Sequence, residues 1–167
     1  MVDVSGALKN PGARFAFTEA LVFEPCEVMG EELQFQDAVI DGDLFGAEET
    51  VNIDACLKVT VLAHCARCLE PVEEPMDVQV SAEFSRAPNE DSYPIAGHMI
   101  NVGEAAFHVL LTQLPMRFLC SEDCLGLCPV CGQNRNKSLC TCLEGAVRPN
   151  PFSALNVLLN DQNNKEV

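Results

Sequence analysis

Positive charge is scarce in this sequence. It carries 10 lysines and arginines against 25 acidic residues, a formal net charge of −15 at pH 7. Such a chain repels phosphate backbones, which excludes nonspecific nucleic-acid binding driven by phosphate neutralisation. It favours a basic protein partner, or serves solubility alone. Tryptophan is absent, but 48% of the residues are apolar, enough to bury a core. No apolar run approaches the roughly eighteen residues that span a bilayer. The first residues also lack the basic stretch and apolar run of a secretory signal. These two absences predict a cytoplasmic protein with no membrane contact and with reduced thiols. Clustered cysteines in that setting read as metal ligands or redox groups. Familiar catalytic signatures are missing too. None of His64, His98 or His108 is followed two residues later by glutamate, and there is no His-Glu-x-x-His, Gly-x-Ser-x-Gly or phosphate-binding glycine loop. The chain therefore reads as a non-enzyme, with each histidine in a structural role and His64, beside Cys65, the one to test as a substitute ligand.

Sulfur is abundant by contrast. Of ten cysteines, six fall in CSEDCLGLCPVCGQNRNKSLCTC, at Cys120, Cys124, Cys128, Cys131, Cys140 and Cys142. Cys65 and Cys68 form a further Cys-x-x-Cys pair in HCARC. Eight thiols in four close pairs match two tetrahedral zinc sites of four thiolates each. Gly132, after Cys131, gives the second Cys-x-x-Cys turn the backbone freedom it needs. Cys128, Cys131, Cys140 and Cys142 lie close in sequence, so closing a loop around one ion costs little entropy. That grouping leaves Cys120 and Cys124 for Cys65 and Cys68. The competing arrangement joins Cys65 and Cys68 to Cys128 and Cys131. Cys26 and Cys56 have no close partner in sequence and read as ordinary thiols.

Alternation of apolar residues marks the strands. Val51, Ile53, Ala55, Leu57, Val59, Val61 and Ala63 occupy odd positions, with Leu62 the exception among the even ones. Met76, Val78, Val80, Ala82 and Phe84 repeat the pattern. Period two over these lengths predicts two half-buried strands paired as an antiparallel hairpin, with Cys65 and Cys68 near its tip. Shorter strands are expected around Phe15 to Phe23 and from Leu33 to Val39, with a turn or bulge at Asp41-Gly42. Residues 86–98, with two prolines and a glycine, read as a loop. A helix is expected over 101–115, opened by Asn101 with Glu104 in a capping-box arrangement. Its apolar face would be Phe107, Leu110, Leu111 and Leu114, and Pro115 would end it. Pro149-Asn150-Pro151 predicts a short final helix with Phe152, Leu155, Leu158 and Leu159 as its stripe.

The expected fold class is α+β: an antiparallel β-sheet, a covering helix and a C-terminal Cys-rich zinc knuckle. An acidic β-rich body spans 1–116, a Cys-rich module 117–148 and a short helix with a frayed tail 149–167, all in one compact unit. The acids concentrate in the body, where 20 stand against 5 bases, while 117–148 holds 3 acids and 4 bases.

The order of these pieces resembles the YceD-like family. The matching segments are Cys65-Ala66-Arg67-Cys68-Leu69-Glu70-Pro71-Val72, Leu114-Pro115-Met116, and CSEDCLGLCPVCGQN with the closing Cys-x-Cys. The resemblance implies a role in the assembly of the large ribosomal subunit or in the processing or accumulation of its RNA, without catalysis. Given that role, the charge map points to a basic ribosomal protein or assembly factor as partner for the acidic body. Arg117, Arg135, Lys137 and Arg148 are the residues that would meet precursor RNA or an RNA-bound partner, or else form an ordinary solvated surface. The reading from a different class is a redox-responsive zinc-thiol chaperone or oxidoreductase built on Cys65-Ala66-Arg67-Cys68, where Arg67 would favour the thiolate.

Overall fold

The computed structural model describes residues 1–143, except Glu48 and Leu139. The expected C-terminal helix and Arg148 lie outside the described residues. Strands dominate and helices are few. In chain order the elements are β1 (Val2–Asp3), α1 (Ser5–Lys9), β2 (Arg14–Ala20), β3 (Cys26–Val28), β4 (Glu31–Ala47), β5 (Thr50–His64), β6 (Pro71–Ser85), β7 (Ser92–Ala96), β8 (Met99–Ile100) and α2 (Val102–Gln113). The sheet runs β1-β8-β7-β6-β5-β4-β2, and β3 pairs with β4 beside β2. No helix among the described residues is long and apolar enough to cross a membrane.

The β5–β6 hairpin is the spine of the sheet. Its register sets Val51 against Phe84, Ala55 against Val80, Leu57 against Val78 and Val59 against Met76, so the two alternating patterns bury one common face. Val51, Ile53, Leu57, Val78 and Phe84 are fully enclosed there. Each such side chain contributes about 1.5–3 kcal/mol on burial. The helix α2 closes this face through Val102, Ala105, Ala106 and Leu110. The buried stripe is thus rotated from the expected one. Leu110 is shared, but Phe107 and Leu111 are only half-buried. Two alanines let the helix backbone lie close to the sheet, which the larger side chains would have prevented. Asn101 does precede the helix, yet it makes no side-chain capping bond.

Two further expectations are corrected. Asp41-Gly42 is neither turn nor bulge: β4 runs through it without a break, and the bulge lies instead between Gln36 and Val39. Asp37, inside that irregularity, holds a left-handed φ of 52°. Glycine at 42 answers a packing need, since a Cβ there would lie 2.3 Å from the Asp54 carbonyl oxygen and 2.4 Å from the Ala55 Cα. Residues 86–98 are not all loop, because β7 lies within them and pairs in parallel with β6 through Glu83↔Ser92, Phe84↔Tyr93 and Ser85↔Pro94. Asn89 makes the reversal compact by accepting bonds from the Asp91 amide at 2.9 Å and the Ser92 hydroxyl at 3.0 Å. Among the described residues the sheet is therefore mixed, antiparallel apart from this one pairing. The chain forms two compact units, divided after Cys124. The reason is that Phe118 packs with Leu33, Val61 and Ala63 in a small second core, which ties the segment after α2 to the body.

Candidate metal centres

Each unit holds one group of four thiols. In the body, β5 and β6 are joined by residues 65–70, and His64 still pairs with Pro71, so this loop is held at a defined tip. The Cys65 amide donates to the Glu70 carbonyl at 2.8 Å and the Leu69 amide to the Cys65 carbonyl at 2.9 Å. The Ala66 amide donates to the Phe118 carbonyl at 2.9 Å, which brings the segment after α2 alongside. Cys120 and Cys124 arrive on that segment. The Sγ atoms of Cys65 and Cys124 lie 3.7 Å apart, and those of Cys68 and Cys120 lie 3.6 Å apart. All four sulfurs fall within 4.8 Å of one another.

The second unit repeats the device. The Cys128 amide donates to the Gln133 carbonyl and the Gly132 amide to the Cys128 carbonyl, both at 2.8 Å. These are the same two bonds, at the same offsets from the first cysteine, as in the body. A Leu127–Asn134 bridge and the Asn136 side chain, which accepts from the Leu125 amide at 2.8 Å, brace the turn. Cys140 precedes and Cys142 lies within a short 3-10 turn, Thr141–Leu143. The four sulfurs of Cys128, Cys131, Cys140 and Cys142 again lie within 4.8 Å of one another. The competing arrangement, with Cys65 and Cys68 joined to Cys128 and Cys131, is not the one formed. Cys26, Cys56 and His64 belong to neither group.

The donor chemistry fits a zinc-type ion. A Zn–S distance of about 2.3 Å in a regular tetrahedron separates the sulfurs by about 3.8 Å. The separations of 3.6 and 3.7 Å in the first group are close to that edge and far from the roughly 2.05 Å of a disulfide. Four protein sulfurs leave no open coordination position, which is the pattern of a structural rather than a catalytic site.

The thiols share protons unequally in the metal-free chain. Burial pushes Cys65 up, but amides of Cys120, Arg67 and Cys68 donate to its sulfur and bring it down to about 6. Cys128 falls to about 6 through the amides of Cys131 and Val130. Their neighbours carry the protons instead: the thiols of Cys124 and Cys68 beside Cys120 push it up to about 12, and that of Cys131 does the same to Cys142. Cys68 and Cys140 are raised as well. Binding a divalent ion must expel these protons, so the metal-bound form holds fewer of them and is favoured as pH rises. Zinc affinity, measured against a competing chelator between pH 6 and 8, is expected to climb with a slope of more than one proton per zinc. A flat profile would contradict proton displacement.

Arg67 sits between the two cysteines of the first turn, and its side chain is held by backbone carbonyls. Its Nη1 donates to the carbonyl oxygens of Glu122 at 3.0 Å and Cys124 at 2.9 Å. It thereby clamps the loop that delivers the last two sulfurs. Arg67→Ala is expected to weaken zinc retention by the body about tenfold or more, as loss of an outer support typically does. Zinc transfer to a chromophoric chelator, followed in time, measures this. Sequence reading could not find this role, because both partners are backbone carbonyls.

The residue after the second cysteine is left-handed in both turns. Gly132 has a φ of 75°, and its counterpart Leu69 has a φ of 61°. Left-handed backbone suits glycine and costs about 1–2 kcal/mol for other residues. Of the bases singled out above, Arg117 and Lys137 are exposed and Arg135 is half-buried. The Arg135 amide donates to the Gly126 carbonyl at 3.0 Å, so this residue also shapes the second turn.

A family model described as large ribosomal RNA subunit accumulation protein YceD matches residues 53–159. The chain belongs to the YceD family. The match takes in every cysteine of both groups and begins within β5. Relatives of the chain include uncharacterized proteins of Mycobacterium bovis and of two strains of Mycobacterium tuberculosis. Each is 28% identical over 142 residues, which cover 78% of this chain and 68% of the relative. No solved structure matches the chain. The YceD family is named for accumulation of a large ribosomal RNA subunit and not for a reaction.

Proposed function

We propose that this chain is a non-catalytic factor that supports large ribosomal subunit assembly and the processing or accumulation of 23S ribosomal RNA. It acts through protein or RNA contacts made by surfaces that two structural zinc ions hold in shape. The observation that carries the reading is the pair of closed four-thiol groups, each with no position left for a substrate, in a chain of a family named for ribosomal RNA accumulation. The acidic body suits a basic ribosomal protein or assembly factor. Contact with precursor RNA falls to Arg117, Arg135 and Lys137, with Arg148 as the remaining base of this set.

Affinity purification with and without ribonuclease tests the reading. Large-subunit proteins are expected in the eluate under both conditions, and precursor RNA only without ribonuclease. Loss of both from both eluates would contradict the proposal. Mild peroxide treatment addresses the redox reading, with zinc and free thiols counted before and after. Retained zinc and unchanged thiols are expected of structural sites. Metal release together with a gained activity would favour the redox chaperone instead.

A further inference from the structure

We propose that the tip of the β5–β6 hairpin, beside the first thiol group, is a docking patch for a lysine- or arginine-bearing protein segment, with Leu69 as its anchor. The proposal rests on the reading of the chain as a factor with a basic ribosomal partner, and it names the place and the chemistry of that contact.

Strain gives the first observation. Leu69 holds a left-handed φ of 61° in a turn whose twin uses Gly132. The residue is 64% exposed, so packing within the body does little to offset the strain. Glycine would serve the turn better, and leucine there gains little from the protein itself. A strained residue that displays an apolar side chain is accounted for by contact with something outside.

Leu62 gives a second, independent observation. It breaks the alternation of β5 by placing an apolar side chain on the outer face of the sheet, in register between Gln34 of β4 and Glu73 of β6. It lines a groove of about 250 Å³ with Glu32, His64, Pro71 and Glu73. Leu69 sits in the loop that joins β5 to β6, two residues before Pro71 of this groove. Glu32 and Glu73 are both exposed, and neither joins any ion pair found among the described residues. The patch is therefore apolar at its centre and anionic at its edge.

Charge selects the occupant. A second copy of this chain brings a net charge of −15 and is repelled. Phosphates of RNA are repelled in the same way. A polypeptide segment with one or two apolar side chains flanked by lysine or arginine satisfies both parts of the surface. An ion held by Cys65, Cys68, Cys120 and Cys124 would keep the platform rigid, which lowers the ordering cost of docking.

The test uses the zinc-loaded full chain, immobilised, with total protein extracted from purified large ribosomal subunits as the probe. Wild type is compared with Leu69→Gly, Leu69→Ala and Glu73→Lys. Wild type is expected to retain at least one basic protein, and each variant to lower that retention about tenfold or more. Zinc content should stay unchanged in all three variants. Leu69→Gly should also melt no lower than wild type, because it relieves the strained turn, which separates lost contact from lost folding. Wild-type retention by a zinc-loaded Leu69→Gly would overturn the patch and leave the proposed function standing. No retention by wild type would overturn both. Binding of protein-free large-subunit RNA that depends on Leu69 would overturn the choice of a protein occupant.

Discussion

Chelation of zinc-loaded protein is expected to unfold the second unit while the sheet of the body survives. The asymmetry follows from what each unit buries. The body encloses Ile40, Ile53, Leu57, Val78, Phe84 and Leu110 in one continuous core. In the second unit, Cys128 is the only apolar side chain buried among the described residues. Among the described residues of this unit, turn hydrogen bonds are joined by the proposed metal ligation in holding the chain together. Structural zinc contributes on the order of 10–16 kcal/mol of apparent binding free energy at neutral pH, far more than those bonds, at about 1 kcal/mol each. Amide hydrogen exchange reads the two units separately. Protection at the amides of Cys128, Gly132 and Arg135 should vanish on chelation, while that of β5 and β6 persists. Equal loss in both units would mean that the body also depends on metal for its fold.

Gly42→Ala is expected to lower the stability of the body by about 3 kcal/mol or more. The added methyl would sit 2.3 Å from the Asp54 carbonyl oxygen and 2.6 Å from the Ala55 Cβ. The first of these obstacles is backbone, so no rotamer change clears it. Relief requires parting β4 from β5 in the middle of a ladder that runs from Gln34↔Leu62 to Ala47↔Thr50. Urea unfolding followed by far-ultraviolet circular dichroism measures the change. A midpoint within a few tenths of a molar of wild type would show that the strands can part at this point without cost.

The same glycine explains what the sequence conceals. Asp41-Gly42 has the composition of a turn, and local chemistry favours that reading. The decisive fact is the close approach of a neighbouring strand, and no local pattern reports it. The β5–β6 hairpin was legible for the opposite reason. Its long alternations demand one buried face, and matched lengths on either side of HCARC leave few ways to pair them. Within α2, spacing located the helix but not its orientation. Phe107 and Leu111 look like better core residues than Ala105 and Ala106, yet the small residues win because they let the backbone approach. β7 was hidden by prolines that a short, three-residue parallel pairing tolerates. The thiol groups were legible as two sets of four, because spacing governs the entropy of closing the nearer set. The Arg67 clamp and the strained Leu69 were not, since both depend on backbone geometry.

Metal stoichiometry tests the central claim most directly: native mass spectrometry of the zinc-loaded chain and of its Cys65→Ser, Cys68→Ser double variant. The expected result is two zinc ions in the wild type and one in the variant, the remaining ion lying with Cys128, Cys131, Cys140 and Cys142. Two ions retained by the variant, or none bound by the wild type, would contradict the account.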